Sequence, residues 1–540
     1  MKHFIPYIFI FSMAAGLIAC HDLDEPATTE LTPDVFPKDS LQFVAVKGTA
    51  YAALRGNYSL DYWFMQSSST DEAILPARGG NWYDNQNYMM LHYHSWTKDH
   101  GWTNGCWSWL SRVIGTTNQA ISILKTSEPD TYYSKKNDMA ELRMVRAFAY
   151  FMMMDLYGNV PLDTVYGDFT QHPTISRAQV FNFIESEVKA AIPNLSSATG
   201  NTTYGLMTKY AAYALLAKMY LNASIYTGTE RNNDCIAACD YLISSGKFSL
   251  APRSTYLKMF YPDNGPATPE FIFAIPYDPT ASASSGTNGY MYHARYDVPR
   301  SLKAKFNLPF TPSAPESTLP EFYAYFEDDA NDVRNQQWLT GLQYMNDGVT
   351  PITVTTTNQG YDYTYNGGNP SGSYTYQVNL TPAIILRYDP NNFDLGNDEI
   401  AWNMGYRNIK FYPDATSPSR NQNNDVPVFR YADIILMKAE AILRGGTPTL
   451  GDQALTLVNQ LRANRTTSGD LGSVDLQFIY EERAREFAWE AWHRNDMIRF
   501  GTYEQSWGFK TDADPHKRLF PIPTIARRLN TQLQQNEGYQ

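Results

Sequence analysis

The chain has 540 residues, 55 of them acidic and 43 basic, for a formal net charge of −12. Phosphate contacts need clustered cations, and with no stripe of Lys and Arg this balance argues against a nucleic-acid partner. The cysteines, Cys20, Cys106, Cys235 and Cys239, lack the paired CxxC spacing of a zinc site and cannot staple a fold of this size.

In chain order, the first element is a targeting segment. Lys2 and His3 precede an apolar run over residues 4–17, too short to span a bilayer, and the run ends on Leu17, Ile18, Ala19 and Cys20. That ending resembles a bacterial lipobox, which makes residues 1–19 a signal peptide and Cys20 the lipidated N-terminus. Asp22, Asp24 and Glu25 resemble the surface-export signal of Bacteroidetes lipoproteins, so the expected location is the outer face of the outer membrane. No later apolar run is long enough to cross a membrane.

Helical pairs are predicted over about 40–246. Arg146 lies on the stripe of Leu142, Ala149 and Met153, so it must meet an opposite charge or a set of carbonyls. From Met207, residues Tyr210, Tyr213, Ala214, Ala217 and Leu221 form one apolar stripe and Leu216, Met219 and Tyr220 another, which predicts a helix sandwiched between neighbours. Residues 234–245 supply its partner, and there Cys235 and Cys239 read as small buried side chains one turn apart.

Over about 247–426 the pattern changes to short β-like runs rich in Pro, Gly, Asn and Ser, which predicts a loop-rich insertion. Within it Tyr361, Tyr363 and Tyr365 alternate, Asn366, Gly367 and Gly368 turn the chain, and Tyr374, Tyr376 and Val378 alternate back, the pattern of a hairpin. Helix pairs resume over about 427–500, with 430–444 and 451–465 joined by Gly445, Gly446 and Pro448. Glu440 sits on an apolar stripe and requires a cationic partner. About four tetratricopeptide-like pairs are expected.

The last helix, capped by Asp475, carries Glu482, Glu486 and Glu490 on one row beside Arg483, Arg485 and Arg494. A glycosidase sets its two carboxylates across a cleft, whereas a row on one helix points one way, so salt bridging is expected. His92 and His94, with His100, are the nearest thing to a metal motif and read as structural; no HExxH, phosphate loop or GxSxG is present.

The segment with Arg143, Arg146, Ala147, Tyr150, Tyr157, Gly158, Val160, Pro161 and Leu162 resembles a signature of SusD/RagB lipoproteins. Further matches are Arg430, Tyr431, Ala432 and Asp433; Glu482, Arg483, Glu486 and Glu490; and Pro521, Ile522 and Pro523. The ending Gln535, Asn536, Glu537, Gly538, Tyr539 departs slightly from the family form. The resemblance implies a mostly α, SusD-like fold, residues 20–540 forming one domain of tetratricopeptide-type helix pairs with a loop-rich insertion containing short β-hairpins. It also implies a non-enzymatic, cell-surface lipoprotein that captures oligosaccharides and delivers them to a SusC-like TonB-dependent transporter. The alternative cargo is a peptide or other non-sugar nutrient.

Aromatic residues make up 14% of the chain against 18% charged, a balance suited to sugars with their apolar C–H faces. The residues expected to contact glycan are Arg78, Asn81, Trp82, Tyr83 and Trp96, with Tyr292, Tyr296 and Trp338 from the insertion. Arg78 and Asn81 would reach hydroxyls, and the rings would stack. No cofactor is expected, a structural calcium ion among the loops being left open.

Overall fold

The computed structural model describes residues 36–128, 135–278, 297–313, 315–357, 372–387, 393–418 and 420–539. Eight helices form four pairs: α1 Ser40–Arg55 with α2 Gly101–Thr126, α3 Lys135–Tyr157 with α4 Arg177–Ala191, α5 Lys209–Leu221 with α6 Asn232–Ser244, and α7 Tyr431–Leu443 with α8 Ala454–Arg462. Each helix packs on the next, α4 on α5 and α6 on α7 included, so the row stays continuous although a long insertion separates the last two in sequence. Two further helices, α9 Leu476–Phe487 and α10 His493–Phe500, close it. Among the described residues no helix is long and apolar enough to cross a membrane.

Local chemistry sets the helix starts. The side chains of Asp39, Thr208 and Asp475 accept the backbone N–H of Gln42, Ala211 and Phe478, and Ser176 with Gln179 forms a capping box. The expected two-faced burial of α5 is observed: Tyr210, Ala214, Ala217 and Leu221 of one stripe and Leu216, Met219 and Tyr220 of the other are buried, with Tyr213 half-buried. Cys235 and Cys239 are buried free thiols on α6. Where α7 ends against α6, a Cβ on Gly446 would lie 2.5 Å from Ile236 Cδ1 and 2.8 Å from the Ala441 carbonyl. Gly446→Ala is therefore expected to lower stability by about 1–3 kcal/mol, the cost of overpacking, read from the midpoint of urea unfolding at unchanged slope.

The insertion leaves and re-enters through one antiparallel pair, β1 Phe271–Ile275 with, at its far end, Val426–Arg430, in which Phe271 faces Arg430 and Ile275 faces Val426. Between them lie β2 Thr353–Thr356 and β3 Tyr374–Gln377, and Val426–Arg430 is β4. The hairpin expected around 366–368 is only partly accessible, because Tyr361, Tyr363, Tyr365 and the turn lie outside the described residues. The returning strand forms as β3, but it pairs with β2, with Thr353 facing Gln377 and Thr356 facing Tyr374. The four-residue run of β2 carries too little alternation to stand out in a sequence.

Charges on apolar stripes find partners, as expected. Arg146 reaches Glu187 at 2.6 Å and Asn118 at 2.8 Å, bracing α3 against α4 and α2. Glu440 of α7 takes Arg499 of α10 at 2.6 Å and Arg444 at 2.7 Å. The largest network lies under the insertion. Glu486 meets Arg430 at 2.9 Å, Arg465 at 2.9 Å and Arg334 at 3.1 Å, while Glu270 meets Arg430 at 2.8 Å and Arg465 at 2.7 Å. The row of glutamates is shorter than predicted: α9 ends at Phe487, and Glu490 follows in a turn where Trp489 and Ala491 have φ of 66° and 63°. That turn still delivers Glu490 to Arg430, at 2.7 Å, and to Lys410, at 2.6 Å.

Candidate functional site

The long connection between α1 and α2 meets the end of the insertion and builds an irregular face there. Ala77 exchanges backbone hydrogen bonds with the 393–395 segment: its N–H donates to Phe393 at 2.9 Å, and Leu395 N–H donates back at 2.9 Å. The N–H groups of Gly79 and Gly80 donate to the two carboxylate oxygens of Asp394, each at 2.8 Å. Gly79 is required there, because its φ is +63° and a Cβ would lie 2.3 Å from Asn397 Cβ.

Beyond these glycines the backbone is strained. Trp82, Asp84, Asn85 and Gln86 have φ of 60°, 41°, 53° and 65°, the left-handed region that costs a non-glycine residue roughly 1–2 kcal/mol. Such strain persists only where surroundings over-determine the backbone, as at ligand clamps. Here the strained turn holds Asn81 and Tyr83 in solvent, Tyr83 being 39% exposed, and leaves Trp82 half-buried.

Trp82 meets the half-buried Trp402 edge to face, with ring centroids 5.2 Å apart and planes at 73°. Trp402 donates its indole N–H to Asn397 Oδ1 at 3.2 Å, and the Arg300 guanidinium carbon lies 3.9 Å from its ring centre. Glu399 faces Arg300 at 3.4 Å, and its carboxyl is pushed up by burial, with Arg300 opposing and Asp398 adding to the shift. The face thus combines two indoles, a phenol, amides, a carboxyl and a guanidinium. Flat apolar surface beside fixed polar groups is what a saccharide needs.

The expected contact residues divide. Asn81, Trp82 and Tyr83 share this face. Arg78 does not reach it: its buried guanidinium donates to the carbonyls of Pro315 at 3.0 Å and Met404 at 3.2 Å, to Ala401, and to Ser317 Oγ at 3.3 Å. It ties the loops together instead of contacting solvent. Trp96 is also enclosed, tilted against Phe520 and donating to the Tyr539 hydroxyl at 2.7 Å, so it anchors the 539 end of the described residues. Trp338 is buried edge-on to Trp489, with centroids 5.4 Å apart. Tyr292, Tyr296 and Cys20 lie outside the described residues. His92, His94 and His100 are engaged separately, with Phe509 N–H, the Ser69 carbonyl and the start of α2. Among the described residues no group of three or more His, Cys, Asp or Glu is placed to hold a metal ion. Sequence reading missed Trp402, Asn397, Arg300, Asp394 and Glu399, whose relevance rests on contacts such as Gly79 to Asp394, 315 residues apart along the chain.

Residues 269–514 match a family model described as SusD family, and residues 37–221 match one described as "Starch-binding associating with outer membrane". Among characterised relatives, "Starch-binding protein SusD" of Bacteroides thetaiotaomicron is 23% identical over 567 aligned residues, covering 100% of this chain and 99% of that protein. "SusD-like protein P38" of Formosa agariphila is 26% identical and covers 80% of this chain and 79% of its own length. The fold is shared with a laminarin-binding SusD-like protein, at a TM-score of 0.70 and 20% identity, over 93% of this chain and 100% of that one. It is also shared with surface glycan-binding protein A from Bacteroides thetaiotaomicron in complex with laminarihexaose, at 0.69 and 18%, over 92% and 100%.

Proposed function

The chain belongs to the SusD family, and from that premise we propose that it is a cell-surface lipoprotein that captures glycan chains and delivers them, uncleaved, to a TonB-dependent transporter of the outer membrane. The observation that carries the binding half of this reading is the strained turn at 82–86, which holds Trp82 against Trp402 and presents Asn81 and Tyr83 to solvent beside it at a cost in backbone energy. A relative named for starch and a structural neighbour named for laminarin support a saccharide ligand, and a family description that places its members at the outer membrane supports the location. Lipidation at Cys20 would tether the protein there.

A few stacking contacts of about 1 kcal/mol each, set against the entropy of association, give capture in roughly the micromolar to millimolar range. Such weak binding suits hand-over. The test is titration calorimetry of the mature protein against soluble polysaccharides. Trp82→Ala is expected to weaken binding about tenfold or more at unchanged melting temperature, since one stacked ring and its buried area are lost. Unaltered affinity in that variant would place the ligand elsewhere, and silence across the panel would favour a peptide cargo. In its own membrane the protein should be recovered together with a TonB-dependent barrel; recovery alone from mild detergent would count against delivery.

A further inference from the structure

We infer that the glycan taken at this face carries an anionic group, a uronate carboxylate or a sulfate ester, received by Arg300. This rests on the reading that the Trp82 face binds saccharide, and it narrows the class of saccharide. The guanidinium of Arg300 covers one face of Trp402, so that face is closed to a sugar ring and the contact nearest to it is a cation. Among the described residues its carboxylate partner is Glu399 alone, at 3.4 Å, beyond the usual 2.7–3.2 Å of an N–H···O bond.

Three further features fit an unfilled fork. The Arg300 side chain is 45% exposed whereas that of Glu399 is only 11% exposed, so the cation and not the carboxyl fronts the solvent. Glu399 is itself a reluctant anion, pushed up by burial. Lys303 and Lys305, both half-exposed, follow on the same segment. A planar guanidinium with parallel N–H groups matches a carboxylate or sulfate two bonds at a time, while a neutral hydroxyl uses one. Stacking over an indole fixes the plane of the fork in advance, which lowers the cost of ordering it on binding.

The test is calorimetric titration of the purified mature protein with matched pairs: polygalacturonate against its methyl ester, and a sulfated galactan against the same polymer desulfated. The acidic member of one pair is expected to bind about tenfold tighter, an advantage that shrinks as sodium chloride is raised. The pair that responds distinguishes carboxylate from sulfate. Arg300→Met should erase the advantage at unchanged melting temperature, and Arg300→Lys should restore only part of it. Equal affinity for both members of each pair, or an advantage that survives Arg300→Met, overturns the inference while leaving saccharide binding in place. Silence towards all four polymers with starch or laminarin still bound overturns the inference alone, and silence towards those neutral glucans as well overturns both.

Discussion

Glu486→Ala is expected to cost about 3–5 kcal/mol of folding free energy, the penalty for stripping the partner from buried charges. Glu486 sits at the centre of a fully buried set: Arg430 enters α7, Arg465 follows α8, and Arg334 comes from the insertion, so one carboxylate neutralises three elements distant in sequence. Burial by itself would push that carboxyl up; Arg465 and Arg430, with Arg334, reverse the effect and hold it well below the usual carboxylate range. Removing it leaves three guanidiniums sharing Glu270, Glu482, Glu490 and Asp332. The measurement is urea unfolding beside Lys189→Ala, which breaks a half-exposed pair with Glu185 and should change stability by less than about 0.5 kcal/mol. Comparable losses in the two variants would show that the network is not stabilising the fold.

Raising the pH should destabilise the protein through a second set of carboxyls, for which the described residues supply no guanidinium or ammonium ion pair. Glu316 is 1% exposed, and neither of its oxygens has a hydrogen-bond partner among the described residues; Asp297 Oδ2 and Glu72 Oε2 are in the same position. Glu316 is pushed well above the usual carboxylate range by burial, then by Asp297 and Glu72, with Arg407 opposing; burial also raises Asp297 and Glu72. A folded-state value above the unfolded one means that the native protein keeps a proton the unfolded chain releases. Stability is then full below the unfolded value, about 4.3 for glutamate, and falls as pH rises towards the folded value. Each retained proton costs about 1.4 kcal/mol per pH unit in that window. Glu316→Gln, neutral and isosteric, should therefore gain steadily on the wild type as the pH rises above the unfolded value, by up to about 1.4 kcal/mol per pH unit until the folded value is reached. Parallel stability curves over that range would mean that Glu316 is ionised in the folded state. Glu486 has the opposite sign: its contribution is present above the unfolded value and is lost only as pH falls through its depressed folded one.

The helix stack was legible because burial on a helix repeats every 3.6 residues, and α5, with two apolar faces, announced its sandwiched position. Arg146 and Glu440 were legible for the same reason, since a charge on such a stripe demands a partner. The face around Trp82 was half legible. The adjacent Trp82 and Tyr83 stood out, but Trp402 lies in a short helical turn with no periodicity to mark it, and Asp394 matters only through glycines far upstream. Arg78 was misplaced because an arginine beside Pro76, Gly79 and Gly80 reads as exposed, and Trp96 and Trp338 because a tryptophan in a short polar stretch carries no periodicity to mark it as buried. Arg78 is instead satisfied by three carbonyls from two separate segments, an arrangement that only tertiary structure creates.

The ladder between β1 and β4 has a consequence for how such a protein diversifies. With Ile275 and Val426 opposite one another, about 5 Å apart as in any antiparallel pair, the helices experience everything between as a tight hairpin. Lengthening that stretch adds closure entropy only logarithmically. The half of the Trp82 face that comes from this stretch, Arg300, Asp394 and Trp402 among it, can thereby be redrafted or enlarged while the supporting frame keeps one shape.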